Sequence, residues 1–428
     1  MSIDLSKKSE GIKNFTVKLL TKEKEYTIDT SDVVDFFFVE EIFQAVLVGK
    51  LTFFDRTGSL EGASITGHER IAIIYGEEKK IQLQFIIYNI KDISEMVQTG
   101  ASAMSYVELL LMDPKVISLI HRKFSKSWIN TPVSEIIKDI GTNMIGIGDK
   151  EWATLPEKTL GVLDTFYMPY WSPVDAISYL IEHGRSDVTK QPGMLFYQNN
   201  KGFNFISIEK LLQSREVEKD SSGEVLKYSF DSADGNYVNK ILGWSITGID
   251  YDSLIGLSGG HRLGFDFNTK RLLDYSYEYK DVIKNYTMSG EKTLFQDISD
   301  KTFRFDLDMD DDIDHLTNQS HHEFIKRYIK QFVVKISVRG HDRRYAGMIA
   351  DILWKSANKE NITHKAYSGK YLVNTIVHQF NGRIQPTYRQ MMTLTKTAYT
   401  ESDSKILVRV GKSKVDKKIN DKPIGSKV

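Results

Sequence analysis

Residues 368–399 read SGKYLVNTIVHQFNGRIQPTYRQMMTLTKTAY. Two amphipathic runs are joined by the loop NGRIQP. In the first run Leu372, Ile376 and Phe380 share one face, and Asn374 and His378 interrupt it. The second, Tyr388 to Thr397, is the last strand of the chain. Alternation with period two marks a half-buried strand, and a Gly-bearing loop between two such runs marks a hairpin. Upstream, Phe332, Val334, Ile336 and Val338 keep the same rhythm. The last part of the chain is therefore predicted to be antiparallel β.

The N-terminal part has the same texture. Phe15, Val17 and Leu19 alternate with polar residues, as do Ile71, Ile73 and Tyr75, and Ile81, Leu83, Phe85 and Ile87. The apolar run Met104–Met112 stops at Asp113-Pro114. Short strands without a long helical pattern between them predict a small antiparallel barrel or sandwich over 1–113.

Helical signals appear after Pro114. Val116, Ile117, Leu119 and Ile120 suit a helix. Thr131 and Pro132 read as N-cap and first turn of another, with Val133, Ile136, Ile137 and Ile140 on one face and Gly141 at its end. Ser172 caps a third, started by Pro173, with Asp175 in the capping-box position and Gly184 past its end. The segment LFYQ-NNKG-FNFIS is a hairpin around an Asn/Gly turn. Residues 114–222 thus read as an α+β domain.

Strand character returns at 223–249 through Tyr228, Phe230, Val238, Ile241 and Trp244. GFDFNTKRLLDYSYEYK predicts a second hairpin with Asn268 near its turn, followed by the acidic run DLDMDDDID and a short helix carrying Phe324, Ile325, Tyr328 and Ile329.

The composition narrows the function. Of 428 residues, 41% are hydrophobic and 27% charged, which suits a soluble globular chain able to bury a core. At about 150 residues per domain, two to four domains are expected. Lys+Arg and Asp+Glu balance at 57 each, which argues against a protein whose main task is gripping nucleic acid. With no cysteine, disulfides, thiol catalysis and Cys-ligated zinc are excluded. No run approaches the roughly 20 apolar residues of a membrane span. The first residues lack the apolar core of a signal peptide, so synthesis in a cytoplasm is expected.

Chemical motifs fail their contexts. Gly256-Leu-Ser258-Gly-Gly260 matches the G-x-S-x-G pattern of a nucleophile elbow, but DYDSLI before it and HRLGFDF after it are not the buried strand and helix that the elbow requires. His322-Glu323 begins an H-E-x-x-H zinc motif whose second histidine is Lys326, and a His pair on a polar helix reads as solvated. Asp306, Asp308, Asp310 and Asp312 begin like an EF-hand loop. The Gly and Glu of such a loop are replaced by Asp311 and Thr317, which leaves a solvated acidic loop or a loose cation site. No catalytic residue, cofactor or firm metal site is predicted. Residues 404–428 are basic, with Lys405, Arg409, Lys412, Lys414, Lys417 and Lys418 outweighing Asp416 and Asp421. Ile406, Val408 and Val410 alternate at their start, so 401–428 reads as a tail that docks as a strand or arm.

The closing hairpin resembles that of tailed-phage baseplate hub subunits, a family related to the N-terminal hub of type VI secretion spike proteins. The resemblance is carried by Gly369, Lys370, Tyr371, Leu372, Val373, His378 and Tyr388. FYQNNKGFNFISIEKLL (196–212), DYDSLIGLSGGHRLGFDFNTKRLLDYSYEYK (250–280) and the strand 332–340 are similar to further family stretches, in family order. After Gly340 the family's Gly-Asp turn and smooth strand are replaced by HDRRYAGMIADILWKSANKE.

The resemblance implies a mainly β chain with α+β content. It would have two tube-type antiparallel barrels, at 1–113 and at 223–249 plus 330–400, around the α+β domain, with 250–329 inserted. It implies a non-enzymatic homotrimer that joins the tail tube protein to the central spike protein among other baseplate proteins, located in the virion tail baseplate. A tail-associated peptidoglycan hydrolase and a receptor-binding module are the competing readings.

Overall fold

The computed structural model describes residues 12, 14–22, 24–56, 69–76, 80–96, 104–214, 227–230, 239–247, 259–266, 270–278, 302–303, 313–330, 332–354, 367–382 and 386–396. Seven strands form the first lobe. They are β1 (Asn14–Leu20), β2 (Glu25–Ile28), β3 (Val33–Glu41), β4 (Val48–Asp55), β5 (Arg70–Gly76), β6 (Ile81–Met96) and β7 (Met104–Met112). Their apolar alternation is used as expected. Phe15, Val17, Leu19, Phe36, Phe38, Ile71, Ile73 and Phe85 turn to one face and close a single core.

A single π-type turn (Ile117–His121) then leads into the α+β part. It comprises β8 (Phe124–Thr131), α1 (Val133–Asp139), β9 (Leu163–Trp171), α2 (Pro173–His183), β10 (Met194–Asn199), β11 (Gly202–Ser207) and α3 (Ile208–Gln213). The capping box of α2 is present, with Ser172 accepting from the Asp175 N–H and Gly184 at the C-cap. Two helix-end expectations are corrected. The N-cap of α1 is Pro132, while Thr131 Oγ1 donates to the Ile129 carbonyl. Gly141 does not end the helix, because a π-type turn continues to Ile145 and the left-handed Gly146 (φ 81°) closes it. Gly141 lies flat against Trp152 instead, where an added Cβ would come 2.6 Å from the ring.

The second lobe holds β12 (Lys227–Ser229), β13 (Ile241–Thr247), β17 (Phe332–Arg339), β18 (Ile349–Leu353), β19 (Gly369–Asn381) and β20 (Thr387–Lys396). Between β13 and β17 lie the hairpin β14 (Gly259–Asp266) and β15 (Arg271–Glu278), the short β16 (Thr302–Phe303) and α4 (Ile313–Tyr328). At 16 residues, α4 is longer than the short helix expected. Asn268 lies outside the described residues.

Both lobes belong to one 13-stranded sheet of order β13-β17-β20-β19-β3-β4-β7-β6-β5-β1-β2, with β18 beside β19 and β12 beside β18. The chain is mainly β, but the expectation of two closed barrels is not met by the pairing of the described strands, which leaves β13, β2 and β12 as ends. An isolated bridge between Ser229 and Lys240 brings β12 back to the start of β13.

The lobes fuse where β19 pairs with β3, through Thr375–Glu41 to Phe380–Phe36. The strand β19 is long enough to serve both cores. Tyr371, Val373 and Ile376 enter the second core, and Phe380 enters the first. There Phe380 stacks on Phe15 at 4.9 Å and on Tyr388 at 4.3 Å.

The turn after β19 needs glycine. A Cβ on Gly382 would sit 2.1 Å from the Thr30 carbonyl oxygen and 2.2 Å from that of Val33. Backbone cannot swing aside as a side chain does. Gly382→Ala is therefore expected to destabilise the fold by about 1–3 kcal/mol, read as a lower urea midpoint at unchanged m.

Candidate functional site

The fused strands enclose a buried polar network that contains two of the signature residues. Glu40 stands in phase with Phe36 and Phe38 on β3, and is fully buried. A carboxylate there must be matched by donors, since an unmatched buried charge costs several kcal/mol. Glu40 Oε2 accepts the Ala346 N–H at 2.8 Å, and Oε1 accepts the Asn200 N–H at 3.1 Å. His378 Nε2 lies 3.0 Å from Glu40 Oε1, obliquely aligned for a hydrogen bond.

On the other side of the ring, His378 Nδ1 is 2.7 Å from the Tyr388 hydroxyl, which also receives Gln390 Nε2 at 2.9 Å. Burial, with Tyr75 and Glu40 nearby, raises Tyr388 well above the usual phenol range. It therefore stays protonated and donates to Nδ1. With Nδ1 accepting from Tyr388, the Nε2 side of the ring faces Glu40.

Gln390 passes the network on. Its Nε2 donates to the His341 carbonyl at 2.9 Å, and its Oε1 accepts from His341 N–H and from Arg344 Nη1. Arg344 is fully buried. Its Nη1 also donates to the Arg339 carbonyl, Nη2 donates to Asn239 Oδ1 at 2.6 Å, and the guanidinium lies over the Tyr228 ring at 5.4 Å. Asn200 Nδ2 and Asn199 Nδ2 donate to the carbonyls of Arg344 and Ala346. The network thus ties both lobes, the β10–β11 turn and loop 341–348 together. That loop follows Gly340, just past the end of β17. It turns at Gly347 (φ 95°), and Gly340 lies against the face of Tyr388, where a Cβ would come 2.1 Å from the ring.

The other signature residues line β19. Gly369 adopts φ 117° where the strand opens, and exposed Lys370 follows it. The Tyr371 hydroxyl donates to the Tyr367 carbonyl at 2.7 Å. Leu372 and Val373 belong to two different cores. Of the set, His378 and Tyr388 touch through polar atoms. Glu40, Arg344, Gln390 and Asn239 were not predicted. Two of these carried a signal, because Glu40 and Gln390 are polar residues in phase with buried apolar rows.

Ser258, the aspartates 306, 308, 310 and 312, and the tail lysines and arginine lie outside the described residues. Among the described residues no group of three or more His, Asp or Glu is placed to hold a metal ion. No described helix is long and apolar enough to cross a membrane. The reading of a solvated His pair is corrected at His322, which is fully buried in the face that α4 turns to α2. His321 is partly buried, with its Nε2 2.7 Å from the Tyr275 hydroxyl.

Two surface grooves flank the junction. One, of about 700 Å³, runs between β5–β6 and the β10–β11 turn and is lined by Arg70, Gln82, Gln84, Lys115, Glu151 and Lys201 among others. The second, of about 430 Å³, crosses β13, β17 and β20 and is walled by Val377 and Met391 over Gly243, Ser245 and Ser337.

No protein-family model matches the chain, and no match to a curated protein was found. Solved structures do match. The tail protein from Neisseria meningitidis MC58 superposes with a TM-score of 0.57 at 11% identity, over 90% of this chain and 97% of that one. The 43 kDa tail protein of prophage MuSo2 from Shewanella oneidensis superposes with a TM-score of 0.53 at 8% identity, over 89% and 98%. The likeness spans nearly the whole of each chain, both lobes included.

Proposed function

Since the chain has the fold of phage tail proteins, we propose that it is a structural baseplate hub, a homotrimer that adapts a sixfold tail tube to a threefold central spike. The observation that carries this reading is the two-lobed sheet. Each chain presents two strand-rich lobes in series, each with its own core, fused side by side through β3 and β19. Three such chains would present six lobes in a ring. Cyclic assembly brings unlike faces together head to tail, so the ring must close, and closure covers the sheet edges that an isolated subunit exposes.

In this reading 1–113 and 223–249 plus 330–400 act as the two tube-type barrels. The return of β12 to β13 at Ser229–Lys240 supports the second of them. The buried Glu40–His378–Tyr388–Gln390–Arg344 network has a mechanical role, because it fixes the angle between the lobes on which ring closure depends. The role is architectural rather than catalytic. The partners are a further two copies, the tube protein, the spike protein and other baseplate proteins, in the virion tail.

Imaging of the assembled particle tests the proposal. Three copies between tube and spike, giving six lobes around the axis, are expected. A sixfold or single-copy arrangement of this chain would refute it.

A further inference from the structure

Among the described residues the second core is not sealed along the β13 edge past Lys240. Ile241, Trp244 and Ile246 face it, opposite Val338, Ile336 and Val334 of β17. Trp244 touches Trp354 at 4.9 Å and Phe230 at 6.3 Å, yet it remains 54% exposed. Beside it Leu242 is 45% exposed. Among the described residues β13 has β17 on one side, and on the other β12 meets only its start, through the Ser229–Lys240 bridge, so that 242–246 have no partner strand there. An edge of this kind, with an apolar row behind it, is a template for an added strand.

The chain itself carries a segment of matching character. It continues for 32 residues past β20. Within them KILVRV places Ile406, Val408 and Val410 on one face of an extended segment and Leu407 and Arg409 on the other. Topology brings its root to the correct end of the sheet. Lys396, the last residue of β20, pairs with Phe332, and the neighbouring Val333 pairs with Thr247 at the end of β13. β13 runs parallel to β20, since both are antiparallel to β17. A chain turning back from Lys396 therefore meets β13 in the antiparallel sense. The distance is short, as three strand spacings come to about 14 Å. The stretch 397–405 reaches about 30 Å when extended.

We propose that residues 406–410 add as an antiparallel strand to β13 in the same chain, along the part of its edge beyond the Ser229–Lys240 bridge, with Ile406, Val408 and Val410 covering Trp244. The inference does not rest on the hub reading and holds whatever the chain assembles with.

The absence of cysteine makes the test direct. Ser245 is exposed on the outward face of β13, so Ser245→Cys is combined in the full chain with Leu407→Cys or with Arg409→Cys. Under mild oxidation one of these pairs is expected to form a disulfide within the chain, while Ser245→Cys with the inward-facing Val408→Cys is not. In the full chain Val408→Asp is expected to shift Trp244 emission to the red and to raise amide exchange at 242–246 about tenfold. Disulfides formed only between chains would overturn the proposal, and so would unchanged emission and exchange in Val408→Asp together with no disulfide from either outward pair.

Discussion

Arg344→Ala is expected to lower the unfolding free energy by about 3–5 kcal/mol, among the largest losses a single substitution can produce here. The side chain is fully buried, and its guanidinium serves Gln390, Asn239 and the Arg339 carbonyl at once. Removing it leaves those acceptors in a space that water reaches poorly, and each orphaned buried acceptor costs about 1–3 kcal/mol. It also opens a cavity beside Tyr228. Arg344→Met keeps most of the volume and removes only the donors, so its loss should fall below that of Ala. Arg344→Lys should not rescue, because a single ammonium cannot span acceptors set out for a planar fork. Urea unfolding of the three variants measures this. A loss under about 1 kcal/mol for the alanine variant would mean that the network is not what holds loop 341–348 to the lobes.

How far the sequence disclosed this arrangement depends on the range of the interaction. Met104–Met112 is a strand with the expected ends, and Ser172, Asp175 and Gly184 bound α2 as their chemistry demands. Those signals lie within a few residues of one another. Gly141 does not mark the end of α1 because it is needed for its contact with Trp152, and a glycine kept for packing looks the same in sequence as one kept for a turn. The fusion of the lobes pairs Phe36–Glu41 with Thr375–Phe380. No local pattern can name a partner so distant.

The polar network was half legible. Glu40, His378 and Gln390 each fall in phase with a buried apolar row, and a polar residue in such a place must find a partner. Arg344 sits in an irregular loop, where no periodicity exists to betray burial. His322 differs for another reason. The polarity of α4 as a whole points it to solvent, although Asn318, His322, Ile325 and Ile329 follow a helical core spacing. All four are buried.

That burial makes stability depend on pH. Neither ring nitrogen of His322 has a hydrogen-bond partner among the described residues. Burial, then the charges of Lys326 and His183, lowers its pKa to about 3. In the unfolded chain the ring takes a proton near pH 6.5. Between pH 6.5 and 3 the unfolded state therefore binds a proton that the folded state refuses, so stability falls as pH falls, by about 1.4 kcal/mol per unit. His321, lowered by burial to about 4, acts in the same direction. Asp113 opposes them, since burial raises its carboxyl and protonation then favours the folded chain. A difference between variants separates these effects. His322→Leu removes one titrating ring and no hydrogen bond, so near pH 7 it should match or exceed the parent in stability. At pH 4.5 it should be more stable than the parent by about 2–3 kcal/mol. Chemical denaturation at intervals from pH 7 to 4.5 reads the two slopes. Parallel lines for parent and variant would show that His322 is protonated alike in the folded and unfolded chains, and that α4 does not hold it out of water.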